Sequence, residues 1–287
     1  MTIRTPTAAL TGDERRPGRA HEILWLVLVG LVVLIWLGPV LWISNISLKT
    51  RAEIAVPVPS FIFRPTLENY AAILENPNLV RYAANSLIIA SVTTVITIVL
   101  ASLAAYGLAR FTFRGREGLL TWILSLRMMP VIAVVVPFYI MYQRLGLLDT
   151  YAGIILAYLP VTLPFAIWLL YSFIRDVPVV LDEAAMLDGC GPWRTFLEIV
   201  LPVSLPSVAV TAIFTFIVCW NEFLLALILT ANRAKTFAVG MSEFVLSYEV
   251  LWGQISAAAM MMLLPLLVIV YLVQRHIVKG MTLGAVR

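Results

Sequence analysis

The residues best suited to act on a partner lie in one polar stretch. It runs Asp182-Glu183-Ala184-Ala185-Met186-Leu187-Asp188-Gly189-Cys190-Gly191-Pro192-Trp193-Arg194-Thr195-Phe196-Leu197-Glu198-Ile199-Val200-Leu201-Pro202, between two apolar runs. Its local chemistry describes two short helices joined by a corner. Asp182 is placed to cap the first, and Gly189 or Gly191 to end it in the left-handed conformation. Pro192 suits the first position of the second helix. In the first helix Ala184, Ala185 and Leu187 oppose Glu183 and Asp188. In the second, Trp193, Phe196, Leu197 and Val200 oppose Arg194 and Glu198. Such a short amphipathic corner fits a groove on another protein, or a lipid surface. It does not fit catalysis. Asp182 and Asp188 are six residues apart, so at roughly 3.6 residues per turn they sit about 120° out of alignment.

Other chemistries are missing. No G-x-x-x-x-G-K-[ST] or G-x-G-x-x-G is present, so the chain has no loop to cradle nucleotide phosphates. The two histidines, His21 and His276, lie at the ends of the first and last apolar runs, a poor place for the base of a buried nucleophile. Two cysteines, Cys190 and Cys219, make no disulfide framework, and no Cys/His cluster forms a metal site.

The elements that position the corner follow from composition. Of 287 residues, 61% are hydrophobic and 13% charged, against about 45–50% and 25% in soluble domains. That excludes an ordinary soluble domain and a disordered chain. The net charge of +4 is scattered over short loops, which excludes a nucleic-acid-binding face. The chain is an integral membrane protein. Residues Ile23–Ile46 carry no charge and, as a helix, reach about 36 Å against a hydrocarbon core of about 30 Å. Further runs at Ala83–Ala109, Leu119–Tyr142, Tyr151–Ile174, Val203–Thr230 and Ile255–Val273 make six expected spans. The first is too long for a signal-peptide core and ends at Ser44-Asn45-Ile46-Ser47 without an A-x-A-like site, so it reads as an anchor. With the amino terminus inside, twelve of the twenty Lys and Arg residues fall on inside segments and seven outside. Both termini are therefore expected in the cytoplasm.

Residues 1–22 read as a polar cytoplasmic tail, 23–279 as the transmembrane domain with the corner segment 176–202 inside it, and 280–287 as a second cytoplasmic tail. The loops 47–82 and 231–254 lie outside. Within the apolar runs the charges are Arg127 and Glu222. A buried charge in lipid is a functional hypothesis by default, and snorkelling or a structural ion pair is the other reading. Trp220 and Asn221 either line a pathway or pack between helices. Met260-Met261-Met262 reads as adaptable packing. Prolines 39, 130, 137, 160, 164 and 265 either kink helices that must move or are simply ordinary for membrane helices. A six-span secondary transporter and an intramembrane enzyme are the competing classes; neither has a use for the corner.

The spacing Glu183-Ala184-Ala185, then Gly189, then Ile199-x-Leu201-Pro202 resembles the "EAA" motif of the permease subunits of bacterial ABC importers, with every fixed position matched. Arg127-Met128-Met129-Pro130, Arg144-Leu145-Gly146-Leu147-Leu148-Asp149-Thr150, Trp220-Asn221-Glu222-Phe223 and Gln274-Arg275 are similar to segments of the carbohydrate-uptake branch. The resemblance implies an all-α membrane protein with six transmembrane helices of the ABC type I importer kind and a cytoplasmic coupling helix, in a bacterial inner membrane. It implies an ATPase-coupling set of Glu183, Ala184, Ala185, Asp188, Gly189, Ile199, Leu201 and Pro202. Glu183 would pair with a basic ATPase residue, the two alanines would permit close approach, and Gly189 would make the turn. It implies a sugar or sugar-like solute passing near Arg127, Trp220, Asn221 and Glu222. The implied partners are a second homologous permease, two ATPase subunits holding ATP and Mg, and an extracytoplasmic solute-binding protein contacting loop 231–254. This chain would itself bind no cofactor and catalyse no reaction, and its tail at Lys279–Arg287 would reach toward the ATPase.

Overall fold

The computed structural model describes residues 19–56, 58, 60–245 and 249–284, with the side chains of 19, 20, 22 and 273–284 outside that description. Readings of residues 1–18 and 285–287, and of the Gln274, Arg275 and His276 side chains, lie outside the described residues.

The chain is almost entirely helical. Helix α1 (Arg19–Ser47) is followed by the short α2 (Arg51–Ile54), α3 (Glu68–Leu74) and the long α4 (Pro77–Arg110). A broken pair comes next, α5 (Arg116–Ser125) and α6 (Val131–Arg144), and then α7 (Tyr151–Asp176). The corner holds α8 (Val180–Leu187), α9 (Pro192–Thr195), a π turn at Phe196–Val200 and α10 (Leu201–Val203). The chain returns through α11 (Leu205–Asn221) and α12 (Leu224–Leu229), passes the single turn α13 (Phe237–Gly240), and ends in α14 (Trp252–Gly284). Among the described residues the one β pairing is an isolated bridge between Val245 and Val250.

Among the described residues four helices are long and apolar enough to cross a bilayer unaided: α1, α4, α7 and α14. The third expected span is no single helix. It bends by 90° between Arg116–Met128 and Val131–Arg144, where Pro130 cannot donate into a helical ladder. The fifth is bent by 77° between Pro192–Val203 and Leu205–Asn221 and broken again at Glu222-Phe223. Six crossings result when each bent pair counts as one.

Helix starts follow local chemistry. Thr50 and Glu53 form a capping box on α2. Asn76 caps α4 with Pro77 in its first turn, so α4 begins six residues before the expected Ala83. Its 34 residues measure about 51 Å, longer than the hydrocarbon core, so its ends project.

Helix α4 is the axis of the bundle; its most extensive partner is α7, followed by α11. Three apolar clusters stack along it. One joins Ile73, Leu79, Tyr82, Phe237 and Phe244 at the end opposite the corner. A middle cluster centres on Ile89, Ile154, Tyr158, Phe216 and Leu229. The third, at the corner end, joins Ala101, Ala105, Leu108, Leu170 and Ile174 to Phe196 and Val200. Between the last two, the buried hydroxyls of Thr97 and Thr162 bond at 2.9 Å, which satisfies both polar groups across α4 and α7. By contrast α1 is exposed along its apolar length and touches the bundle chiefly through α14.

Candidate functional site: a protruding corner and a cavity in the bundle

The corner forms where the sequence places it, with two corrections. Helix α8 ends in a Schellman arrangement: Gly189 donates to the Met186 carbonyl at 3.1 Å and Cys190 to Ala185 at 2.9 Å, with Gly189 at φ +83°. Gly189, not Gly191, therefore makes the turn, and Pro192 opens α9.

The first correction concerns Asp182. It does not cap α8, whose N-cap is Val179 with no side-chain bond. Asp182 lies inside the helix, buried, and paired with Arg110 at the end of α4. That partner is distant in sequence, and a buried carboxylate without a cation would carry a large desolvation penalty. The second correction concerns the faces. Asp182 and Ala185 are the buried side chains of α8, while Glu183, Ala184 and Leu187 are exposed together, Leu187 at 89%. In the second half Phe196 and Val200 are buried, and Trp193 and Leu197 stay exposed beside Arg194 and Glu198. The wider π turn shifts the register that a plain helix would give. Arg194 and Glu198 pair with each other, Nε to Oε1 at 3.0 Å.

The corner thus presents Glu183, Ala184, Met186, Leu187, Asp188 and Trp193 with no covering element among the described residues. Ile199, Leu201 and Pro202 are not on that face. They lie on the segment leading into the 77° bend, with Ile199 and Leu201 half-buried and Pro202 in α10. The motif therefore divides into a presented half and a half that shapes the bend.

The four residues expected along a solute pathway do not converge. A cavity of about 250 Å³ lies among α6, α7, α11 and α12. Arg127, Phe138, Thr162, Phe165 and Thr215 line it, and the Arg127 guanidinium sits 4.3 Å from the Phe165 ring centroid. Arg127 stands on the single 3₁₀ turn before the 90° break, so its placement depends on that break. Trp220 is buried elsewhere, stacked on Phe216 and donating to the Met262 carbonyl at 3.1 Å. Asn221 is exposed and donates to Ile217 at 2.8 Å. The Glu222 carboxylate accepts from the backbone N–H groups of Leu225 and Ala226 at 3.0 and 3.2 Å. Its charge is held at the start of α12, where orphan amides and the helix dipole favour an anion.

A carboxylate that the residue pattern did not single out holds the opposite end. Asp149, at φ +54°, accepts backbone bonds from Ala231, Asn232, Arg233 and Ala234 at 2.9–3.2 Å. Asn85 pins the same loop through the carbonyls of Arg233 and Lys235. Burial acts to raise the Asp149 pKa, but the four backbone donors outweigh it and hold the carboxyl below its ordinary range. A depressed folded-state pKa means that this stabilisation is complete above the unfolded value, about 3.9, and fades as pH falls through the lower folded one. Asp149→Asn is therefore expected to lower the melting temperature of the purified chain at pH 7. It should also flatten the acid limb of a melting series run from pH 7 to 3.

Comparison with known proteins places this architecture. The family model described as "Binding-protein-dependent transport system inner membrane component" matches residues 97–283. The trehalose transport system permease protein SugB of Mycobacterium tuberculosis is 38% identical over 275 residues, covering 94% of this chain and 99% of that protein. The trehalose/maltose transport system permease protein MalG of Thermococcus litoralis is 37% identical over 270 residues, covering 93% and 97%. Among solved structures, a bacterial ABC transporter that imports the acidic polysaccharide alginate shares the fold, with a TM-score of 0.74 at 21% identity over 91% of this chain and 98% of that one. The match over residues 97–283 and the identity to these two permeases over nearly the whole chain show that the chain belongs to the family of binding-protein-dependent transport system inner membrane components.

Proposed function

We propose that this chain is the permease subunit of an ATP-driven importer for a sugar or sugar-like solute, seated in a bacterial inner membrane with both termini and the corner in the cytoplasm. The observation that carries the coupling role is the corner itself, a two-helix element at one end of α4 whose outward face sets the acidic Glu183 and Asp188 among the apolar Ala184, Met186, Leu187 and Trp193. The trehalose and maltose permeases among its relatives support the carbohydrate class. ATP and Mg belong to two ATPase subunits, one of which takes the corner in a groove where Glu183 meets a cation. A second homologous permease completes the translocation path, and a solute-binding protein delivers the solute to the face carrying loop 231–254. ATPase closure moves the corner, and the bundle alternates between two openings.

Within this chain the residues position, and they catalyse nothing. Arg127 and Phe165 offer a cation and a ring face in the cavity among α6, α7, α11 and α12. Glu222 fixes α12 against α11.

The test is purification of the tagged chain from its native membranes in mild detergent. An ATPase and a second permease are expected to co-purify, with ATP hydrolysis rising on addition of the binding protein loaded with a candidate sugar. A chain that purifies alone across detergents known to preserve such complexes would overturn the reading. Glu183 is exposed and joins no ion pair within 4 Å among the described residues. Glu183→Ala is therefore expected to leave folding intact while lowering ATPase recovery and uptake several-fold. Unchanged assembly and uptake would remove Glu183 from the interface.

A further inference from the structure

The last turn of α4 holds both halves of the corner through two side chains on one face. Residues four apart on a helix lie one above the other, and here they are Tyr106 and Arg110. Tyr106 donates its hydroxyl to the Pro192 carbonyl at 3.3 Å, and its ring centroid lies 4.9 Å from that of Phe196. Arg110 takes the other half. Its Nε donates to Asp182 Oδ1 at 3.2 Å, and its Nη2 lies 3.0 Å from Oδ2. The same Nη2 donates to the Val177 carbonyl, one residue past α7, at 2.9 Å. Both side chains of the pair are deeply buried, 8% and 5% exposed.

This pair carries more of the attachment of α8 than its size suggests. Helix α8 buries only Asp182 and Ala185, and Ala185 contributes little apolar area. Its other main neighbours are α9 and the π turn, whose Phe196 and Val200 pack into the cluster at the corner end of the bundle. Besides the chain's own continuation from α7 and the packing of the π turn, the polar link from α8 to α4 runs through Arg110. A buried ion pair is a poor choice for stability alone, because apolar side chains of similar volume usually serve as well. It does have directional geometry: the planar guanidinium donates to Asp182 through Nε and to the Val177 carbonyl through Nη2, which resists sliding as well as separation. Because Arg110 also grips the end of α7, the pair ties α8, α4 and α7 into one body, and α4 and α7 are the most closely packed helices of the bundle.

We propose that Arg110 and Asp182 are the positioning residues that pass the stroke of the corner into the α4–α7 pair. The proposal rests on the coupling role assigned to the corner above, and it adds the route by which the stroke enters the membrane. Neither residue touches solute or nucleotide. Their removal should uncouple the transporter, leaving ATP hydrolysis without matching transport.

The experiment uses the whole complex in proteoliposomes, with the binding protein and its sugar, and reads solute moved per ATP hydrolysed. In Asp182→Asn and Arg110→Gln the ATPase should still co-purify and hydrolyse ATP, while solute moved per ATP falls about tenfold or more, as expected when a buried charge loses its partner. The reversed pair, Arg110→Asp with Asp182→Arg, should recover part of that ratio, which a merely packed position would not do. Variants that assemble and transport at the wild-type ratio overturn the link and leave docking intact. A wild-type chain that captures no ATPase overturns docking and the link together.

Should the single variants fail to assemble, a distance measurement on an otherwise native chain decides. Spin labels at Val180→Cys and Val99→Cys, both exposed positions, report α8 against α4 in a Cys190→Ser background. One rigid body predicts the same label distance with and without ATP. A distance that shifts with nucleotide overturns the proposal.

Discussion

Gly153→Ala is expected to lower accumulation of the folded chain severalfold, although it adds one methyl group in a helix. Gly153 sits in the first turn of α7, where its N–H is donated to the Thr150 hydroxyl at 3.0 Å. A Cβ on Gly153 would lie 2.1 Å from the Leu147 carbonyl oxygen and 2.9 Å from Thr150 Oγ1. The obstacle is backbone, and that backbone is fixed. The Leu147 N–H is bonded to Tyr142 at 2.9 Å, its carbonyl accepts from the Thr150 hydroxyl at 2.7 Å, and Asp149 is anchored to loop 231–234. Making room means losing the cap, about 0.5–2 kcal/mol, together with overpacking strain of about 1–3 kcal/mol. It also loosens the Asp149 anchor and the entry of the helix that packs most extensively on α4. Marginal stabilities of about 5–15 kcal/mol do not absorb such a sum without loss of yield. Gly107→Ala is the control. Its Cβ meets nothing within 4 Å, and a helical alanine gains about 0.5–1 kcal/mol over glycine. Membrane yield and a thermal melt of both variants check the contrast, and equal yields would mean that the 147–153 turn is looser than its hydrogen bonds indicate.

The same turn shows where sequence reading stops. Gly153, Thr150 and Asp149 are visible in the chain, but the carbonyl that excludes a Cβ and the four amides that receive the carboxylate depend on how the chain folds back. Elements governed by neighbours in sequence were legible. The long apolar runs located the crossings, the pair Gly189 and Gly191 with Pro192 located the turn, and the motif as a whole pointed to the right family. Elements governed by distant partners were not. Asp182 follows the local rule for a cap, yet Arg110, 72 residues away, captures it. Glu222 was visible as a charge in an apolar run, while its use as the cap of α12 required knowing that α11 stops at Asn221. The 90° break at Pro130 is a related case, since proline is common in membrane helices and its presence alone does not separate a break from a mild kink. The start of α4 is marked by Asn76-Pro77, a helix-start signal that reads equally well as loop punctuation.

Gly189→Val is expected to remove uptake while leaving insertion and yield close to wild type. The two effects separate because Gly189 is exposed and an added Cβ there meets nothing within 4 Å, so no packing is disturbed. What changes is the backbone. At φ +83° a β-branched residue is strained by about 1–3 kcal/mol, and the chain relieves that strain by leaving the left-handed region. Leaving it breaks the bonds from Gly189 to Met186 and from Cys190 to Ala185, which fix the angle between α8 and α9. Arg110 and Tyr106 still hold the two halves to α4, so the corner remains attached but its outward face is mis-aimed. The proposed docking needs Glu183, Leu187 and Trp193 in one arrangement, and they lie on opposite sides of that turn. The substitutions should therefore rank by tolerance of positive φ, with asparagine retaining more uptake than alanine, and alanine more than valine. Uptake normalised to membrane-inserted chain, measured beside ATPase co-purification, reads that order directly. A valine variant that transports normally at equal yield would mean that the corner does not dock through its turn geometry, whereas uptake lost without loss of ATPase capture would place the defect in transmission through α4.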